Sequence, residues 1–280
     1  MGLAALSGDE QCIIFSQLCN ALDAGIAVAF SSTSSELRAL TQAPRQQLRA
    51  DYEVATALGR KLGKRSCKEL REEAKELRCI NKGLSVDDLA MLGTLGSVLP
   101  ALEELYLYQP TAGPDGVQRL AERLGAGALP AVILLEVSSV NVGDAGASAL
   151  SAALGRGAMP RLKHLHLDTA AIGDAGLVAL APALRRRPAL EELSLSGNPF
   201  GDEGLAALLA PPPAGAPPPP TGGLKKLRWL DLDHTQITDG GCAIFAAALD
   251  GGALPALEKL HLADTLASDA AAAALMACFP

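Results

Sequence analysis

The chain has 280 residues, enough for one extended array of small repeats plus a small extra domain. Only 3% of the residues are aromatic, so a core must come from many aliphatic side chains rather than a few large rings. Residues 74–280 hold 15 basic and 22 acidic residues against nine of each in 1–73, so the net charge of -7 lies in the larger part, and an acidic surface of this kind excludes a phosphate-binding, nucleic-acid role.

At the N-terminus no basic flank precedes Asp9 and Glu10, and no apolar run approaches the ~20 residues that a membrane helix needs. A cytoplasmic protein is expected, with no membrane partner and with a nuclear location also open. The stretch GDEQCIIFSQLCNAL at 8–22 reads as a helix that buries Ile13, Ile14, Leu18 and Leu22. AGIAVAF then leads through Ser31–Ser35 into SSELRALT. A further helix is expected over 45–63, with Leu48, Tyr52, Ala55 and Leu62 toward the core. Ser66 is placed to cap a last short helix, CKELREEA. Together these helices would cover the first apolar edge of a repeat array, which needs such a cap. GRKLGKRS at 59–66 fails as a phosphate loop, because only three residues separate Gly59 from Gly63 and Arg65 follows Lys64. Its basic residues, with Lys68, read as a solvated face; a weak anion or nuclear-import patch is the alternative.

Leu6, Asp9, Glu10, Ile14, Phe15, Leu18, Ser34, Leu37 and Arg38 resemble, in type and order, the residues of an F-box. The resemblance covers about 35 residues and departs from the motif at Gly8, where Pro is usual, and in lacking the later Trp. It implies that Ile14, Phe15 and Leu18 stay partly exposed and dock a Skp-type adaptor of a cullin–RING ubiquitin ligase. An F-box and a plain helical cap both remain open for residues 1–73.

From residue 74 the chain repeats. PALEELYLYQ at 100–109 returns as PRLKHLHLDT at 160–169, PALEELSLSG at 188–197, KKLRWLDLDH at 225–234 and PALEKLHLAD at 255–264, with a degenerate copy at 130–139. Each copy carries an LxxLxL triplet, such as Leu102, Leu105 and Leu107, and a weaker first copy uses Ala74, Leu77 and Cys79. Successive triplets start 28, 30, 30, 28, 37 and 30 residues apart. After each triplet come a small or apolar residue, a turn with Asp, and an Ala/Leu run of helical period, so the unit is strand, turn, helix. Asp144, Asp174, Asp202, Asp239 and Asp269 stand where a carboxylate would cap the helix that follows it. The 37-residue spacing contains PPPAGAPPPPTGG at 211–223, an extended loop insertion that a proline-recognition domain is an alternative reader of. None of the six cysteines forms a CxxC pair, so reduced and mostly buried thiols are expected.

These units resemble the ribonuclease-inhibitor-like class of leucine-rich repeats over about three-quarters of the chain, LEELSLSGNPFGDEGLAALL at 190–209 most closely. The resemblance implies an α/β fold: a right-handed solenoid of about seven units over 74–280, shaped as a horseshoe with a parallel sheet inside and helices outside, and with a small all-α cap at 1–73. It also implies that Asn198 bonds backbone between turns; the same position holds Pro110, Val140, Ala170, Thr235 and Thr265 elsewhere. Repeats of this kind are also similar to those of Ran GTPase-activating proteins, although no acidic tail follows Phe279–Pro280. A generic repeat scaffold is the third reading.

If the later two triplet residues point inward, alternation along each strand sets the residues between and after them on the concave face. That face then holds Glu104, Tyr106, Tyr108, Glu136, His164, His166, Asp168, Trp229, Asp231, Asp233 and His261, with His234 just beyond. All four histidines, the single Trp and two of three Tyr gather there. Exposed aromatics ringed by charge are what a protein-binding hot spot needs, so a protein target on this face is the expected partner. His166, Asp231, Asp233, His234 and His261 also contain metal-ligating types, but without HExxH or Cys/His spacing; an Asp–His surface pair is expected there instead of a metal. No GxSxG elbow or Cys–His pair appears, so neither a cofactor nor catalysis is expected.

Overall fold

The computed structural model describes residues 7–108, 113–210 and 224–277. Leu6, Ala112 in the post-triplet position, the Pro-rich segment 211–223, Cys278 and the side chains of Asp9 and Cys12 lie outside the described residues.

Seven short strands form one parallel sheet in sequence order: β1 (Glu76–Ile80), β2 (Glu104–Tyr108), β3 (Leu134–Val137), β4 (His164–His166), β5 (Glu192–Ser194), β6 (Trp229–Asp231) and β7 (Lys259–His261). The central residue of the triplet sets the register. Leu77, Leu105, Leu135, Leu165, Leu193, Leu230 and Leu260 are successive partners across the sheet, and all are buried. Each fully buried leucine is worth roughly 1.5–3 kcal/mol over an exposed one, so a slip by one residue would forfeit the whole row.

The N-terminal helices are α1 (Gly8–Leu18), α2 (Gly25–Ser31), α3 (Ser35–Leu40) and α4 (Gln42–Lys61). In the repeats, α5 (Val86–Leu95), α6 (Gly113–Arg123), α7 (Gly143–Gly155), α8 (Asp174–Arg185), α9 (Asp202–Leu209), α10 (Asp239–Asp250) and α11 (Asp269–Met276) form the second layer. Each packs on the next, as strand-to-strand stacking requires. The fold class is therefore as the sequence implied: a repeat solenoid of parallel strands and helices, with a small all-α region at its start.

The turn carboxylates bond the starts of helices, but not of their own. Asp144 accepts from Gly173 N at 2.8 Å, Asp174 from Gly201 N at 2.9 Å and Gly204 N at 2.7 Å, Asp202 from Thr238 N at 2.9 Å, and Asp239 from Ser268 N at 2.6 Å. Each carboxylate thus binds a backbone N–H at the start of the next repeat's helix, while in α10 and α11 the capping side chains themselves are Thr238 and Ser268, which accept from Gly240 N and Ala271 N. This ladder explains the second glycine of the GDxG turn: a methyl group on Gly176 would stand 2.5 Å from Asp144 Oδ1.

Arginines treat the other helix ends in the same way. Arg156 donates to Ala121 O and Leu124 O, both at 3.0 Å, and buried Arg187 donates to Met159 O at 3.1 Å and to Leu154 O. Positive charge at a helix C-terminus complements the macrodipole while filling carbonyls that have no intrahelical partner. Buried Asn198 accepts from Ala170 N at 3.1 Å and Ile172 N at 3.0 Å, and donates to Leu167 O at 2.7 Å and Leu195 O at 2.8 Å.

The N-terminal helices divide between two jobs. Ala55, Leu58 and Leu62 of α4 and its end, with Leu70 and Ala74 beyond, join Leu77, Cys79 and Leu84 in one continuous core. Lys61 Nζ reaches Asp88 Oδ2 at 2.5 Å, tying α4 to α5. Ser66 Oγ accepts from Glu69 N at 3.1 Å ahead of a π-helical turn at Glu69–Glu73. These elements cover the open end of the solenoid. Phe15, Ala27 and Leu48 form a separate small cluster among α1, α2 and α4.

Several expected orientations differ. Ile13 is exposed, Ile14 and Leu18 are half-buried, and only Leu22 of that set is fully inside. Tyr52 lies on the outer side of α4, unlike Leu48 and Ala55. Phe15, expected to be partly exposed in an F-box, is only 1% exposed and plugs the small cluster. Cys67, Cys79 and Cys242 are buried and Cys19 half-buried, and none of the four is in a disulfide. Burial pushes the Cys79 thiol up to about 12, so it is no nucleophile.

Candidate functional site

Alternation within the triplets puts two parallel rows of side chains on the concave face. Glu104, Leu134, His164, Glu192, Trp229 and Lys259 are successive partners in one row; Tyr106, Glu136, His166, Ser194, Asp231 and His261 are successive partners in the other. Strands of a parallel sheet lie ~4.8 Å apart, so the rows form one surface whose side chains touch their neighbours. Tyr108 lies exposed at the end of β2, and Asp168 and Asp233 stand half-buried just after β4 and β6.

At one end, Tyr106 Oη donates to Glu104 Oε2 at 2.9 Å, and the Arg78 guanidinium covers the Tyr106 ring at 4.8 Å. Burial, then the hydrogen bond to Glu104, raises the Tyr106 phenol above its ordinary range. Glu76 and Arg78 of β1 begin the two rows and pair with each other, so the face starts one strand earlier than the sequence spacing places it. The degenerate triplet at 74–79 was the available signal.

In the centre, one Glu192 oxygen stands 3.1 Å from His164 Nδ1 and 3.7 Å from His166 Nε2. Both ring nitrogens are shielded from solvent, and neither makes a hydrogen bond of good geometry. The His166 and Trp229 rings meet edge-on, with centroids 5.6 Å apart, and Trp229 meets His261 the same way at 5.8 Å. Trp229 Nε1 donates to His261 Nε2 at 3.4 Å. His166, Glu192, Trp229 and Lys259 line a hollow of about 350 Å³ with Arg228 and Glu258, which pair at 2.7 Å.

Beyond the tryptophan, Asp231, Asp233 and His261 come together, with a ligand atom from each within 4.8 Å of the others. Burial raises the Asp231 carboxyl above the usual range; the Asp233 and Asp168 charges add to this, while the Asp233 N–H and His261 oppose it. Asp168 itself accepts from Ser194 Oγ. His234 does not join: it is exposed in a left-handed turn, with Nδ1 3.5 Å from Asp264. Ser138 donates to Glu136 at 3.3 Å.

Residues 159–181 and 188–209 match the family model described as Leucine Rich repeat. Those two segments contain β4, most of α8, β5 and α9. These two units are leucine-rich repeats, and the other units share their strand–turn–helix form. Solved structures are similar at low identity. The structure described as InlP of Listeria monocytogenes is 16% identical, covering 77% of this chain and 57% of that one, with a TM-score of 0.40. The structure described as a TLR13–ssRNA13 complex is 17% identical, covering 65% of this chain and 20% of that one, with a TM-score of 0.34. The chain thus spans a fifth of the length of one and just over half of the other. Among the described residues no helix is long and apolar enough to cross a membrane.

Proposed function

We propose that the leucine-rich repeats serve as a protein-binding scaffold whose working surface is the concave face from Tyr106 to His261. The observation that carries this reading is the environment of Trp229. The chain's single tryptophan stays out of a core rich in leucine, stands half-exposed on a strand, and is braced edge-on by His166 and His261. A side chain held rigid in this way loses little entropy on binding and offers a large apolar area, which makes Trp and Tyr frequent anchors at interfaces. The register partners of Trp229 are Glu192 and Lys259, Asp231 follows on the same strand, and Glu104, Glu136 and Asp168 lie farther along the same face, so the face as a whole favours a partner segment bearing Lys or Arg over the phosphate backbone of a nucleic acid. The resemblance of the repeats to the ribonuclease-inhibitor-like class supports the same reading. Quantitative affinity purification of wild type against the Tyr106→Ala, Trp229→Ala double variant tests it. Partners should be depleted in the variant; identical partner sets in two folded proteins would refute the assignment.

A second reading assigns the scaffold to a cullin–RING ubiquitin ligase, with the N-terminal helices holding a Skp-type adaptor while the concave face holds the target. The exposed apolar residues Ile13, Ile26, Val28, Leu40 and Val54 all lie on α1–α4 and favour a docking surface there. With Phe15 inside, the contact would fall to Ile13 and to half-buried Ile14 and Leu18.

A further inference from the structure

We propose that Asp231, Asp233 and His261 form a binding site for a divalent transition-metal ion on the concave face, at the β6–β7 edge. The backbone builds the spacing: Asp231 and His261 are register partners, and Asp233 follows two residues later on the same segment. Each carboxylate is fastened through one oxygen. Asp231 Oδ1 accepts from Asp233 N at 3.0 Å, and Asp233 Oδ1 accepts from Ala263 N at 2.6 Å. One ligand atom from each of the three residues lies within 4.8 Å of the others. Outer hydrogen bonds of this sort hold metal ligands in place before the metal arrives. His261 Nδ1 already stands 3.8 Å from Asp233 Oδ2. Ligands around a first-row ion, each at roughly 2.0–2.2 Å, lie about 3–3.5 Å apart. The site therefore needs only a small side-chain adjustment.

The donor set decides the class of ion. Two carboxylates supply the charge for a divalent cation, and an imidazole selects zinc or its first-row neighbours over magnesium and calcium. Three protein ligands leave open positions for water or a side chain from a partner, so the site would add to the binding surface without depending on that assignment. An ordinary Asp–His ion pair explains the His261–Asp233 approach, but not the third ligand or the two backbone anchors.

Trp229 makes the site self-reporting. In the metal-free arrangement His261 Nε2 accepts the indole N–H, which places the proton of a neutral ring on Nδ1. Coordination through Nδ1 moves that proton to Nε2, where it can no longer accept from Trp229. Metal binding therefore breaks the Trp229–His261 bond and changes the emission of the only tryptophan.

The test is titration of the full chain with Zn²⁺ alone, followed by calorimetry and tryptophan emission, and with Co²⁺ followed by absorption. One equivalent should bind with a saturable emission change, and Co²⁺ should show d–d bands without a thiolate charge-transfer band. Asp233→Asn keeps the acceptor for Ala263 N, and exposed His261 can be changed to Ala without opening the core; both variants should bind at least about tenfold more weakly. No saturable binding overturns the proposal. So does binding that survives both substitutions, or a thiolate band that assigns the metal to cysteine.

Discussion

Single residues do unlike work at equivalent places in the repeat. Asn198 is one side chain serving two buried N–H groups and two buried carbonyls across two turns. Asn198→Ala leaves these unsatisfied at about 1–3 kcal/mol each, with water recovering part of the loss. A fall in stability of about 3 kcal/mol is expected, read as a lower urea midpoint at unchanged slope. A change below about 1 kcal/mol would show that the turn rearranges around the loss. The importance of this residue was legible through the repeat resemblance, which implies that Asn198 bonds backbone between turns. The metal-ligating trio was only half legible. The sequence offered His166, Asp231, Asp233, His234 and His261; strand register keeps three, turns His166 toward Trp229 and sends His234 to Asp264.

At the scale of elements, the repeats are joined by charges at helix ends as well as by leucine. Turn carboxylates bond the start of the next helix, and arginines fill the carbonyls of neighbouring ones. Sequence spacing revealed that an Asp sits at a helix start but not which helix it serves, since a helix start and its neighbour's lie side by side only once the array is stacked. The N-terminal helices were harder still. In α1 the apolar residues Ile13, Ile14 and Phe15 are adjacent, so spacing alone does not say that Phe15 turns inward and Ile13 outward, and on α4 Tyr52 shares the spacing of Leu48 and Ala55 yet stands exposed at the edge of their face.

The junction between these two parts has a pH signature. Burial alone would raise the Asp88 carboxyl, but hydrogen bonds from Lys61 and from Ser85 outweigh it and hold the group below its ordinary range. A carboxylate depressed in the folded state contributes stability that is present above its unfolded value, about 3.9, and is lost as pH falls through the folded one. Wild type should therefore lose stability on acidification below about pH 4 more steeply than Asp88→Asn. At neutral pH the variant should be less stable by roughly 0.5–2 kcal/mol, the usual worth of a helix cap. Parallel stability profiles from pH 3 to 7 would show that the clamp does not hold the cap in place.

The whole molecule is a one-dimensional stack in which each layer touches only its neighbours, so a surface spanning several layers exists only when they share one register. The leucine row secures that register and thereby aligns Tyr106, His166, Trp229 and His261 on one face. The sequence disclosed this alignment because the triplet fixes strand phase; it did not disclose the first strand's contribution, where the triplet is weakest. The central claim, that the concave face meets a protein, is tested most directly by placing a photo-activated crosslinking residue at one of two positions. One is Tyr106 on β2, and the other is Val178, exposed on α8 of the helical layer. A discrete partner should be captured from position 106 and not from 178; equal capture from both, or capture from 178 alone, would contradict the account.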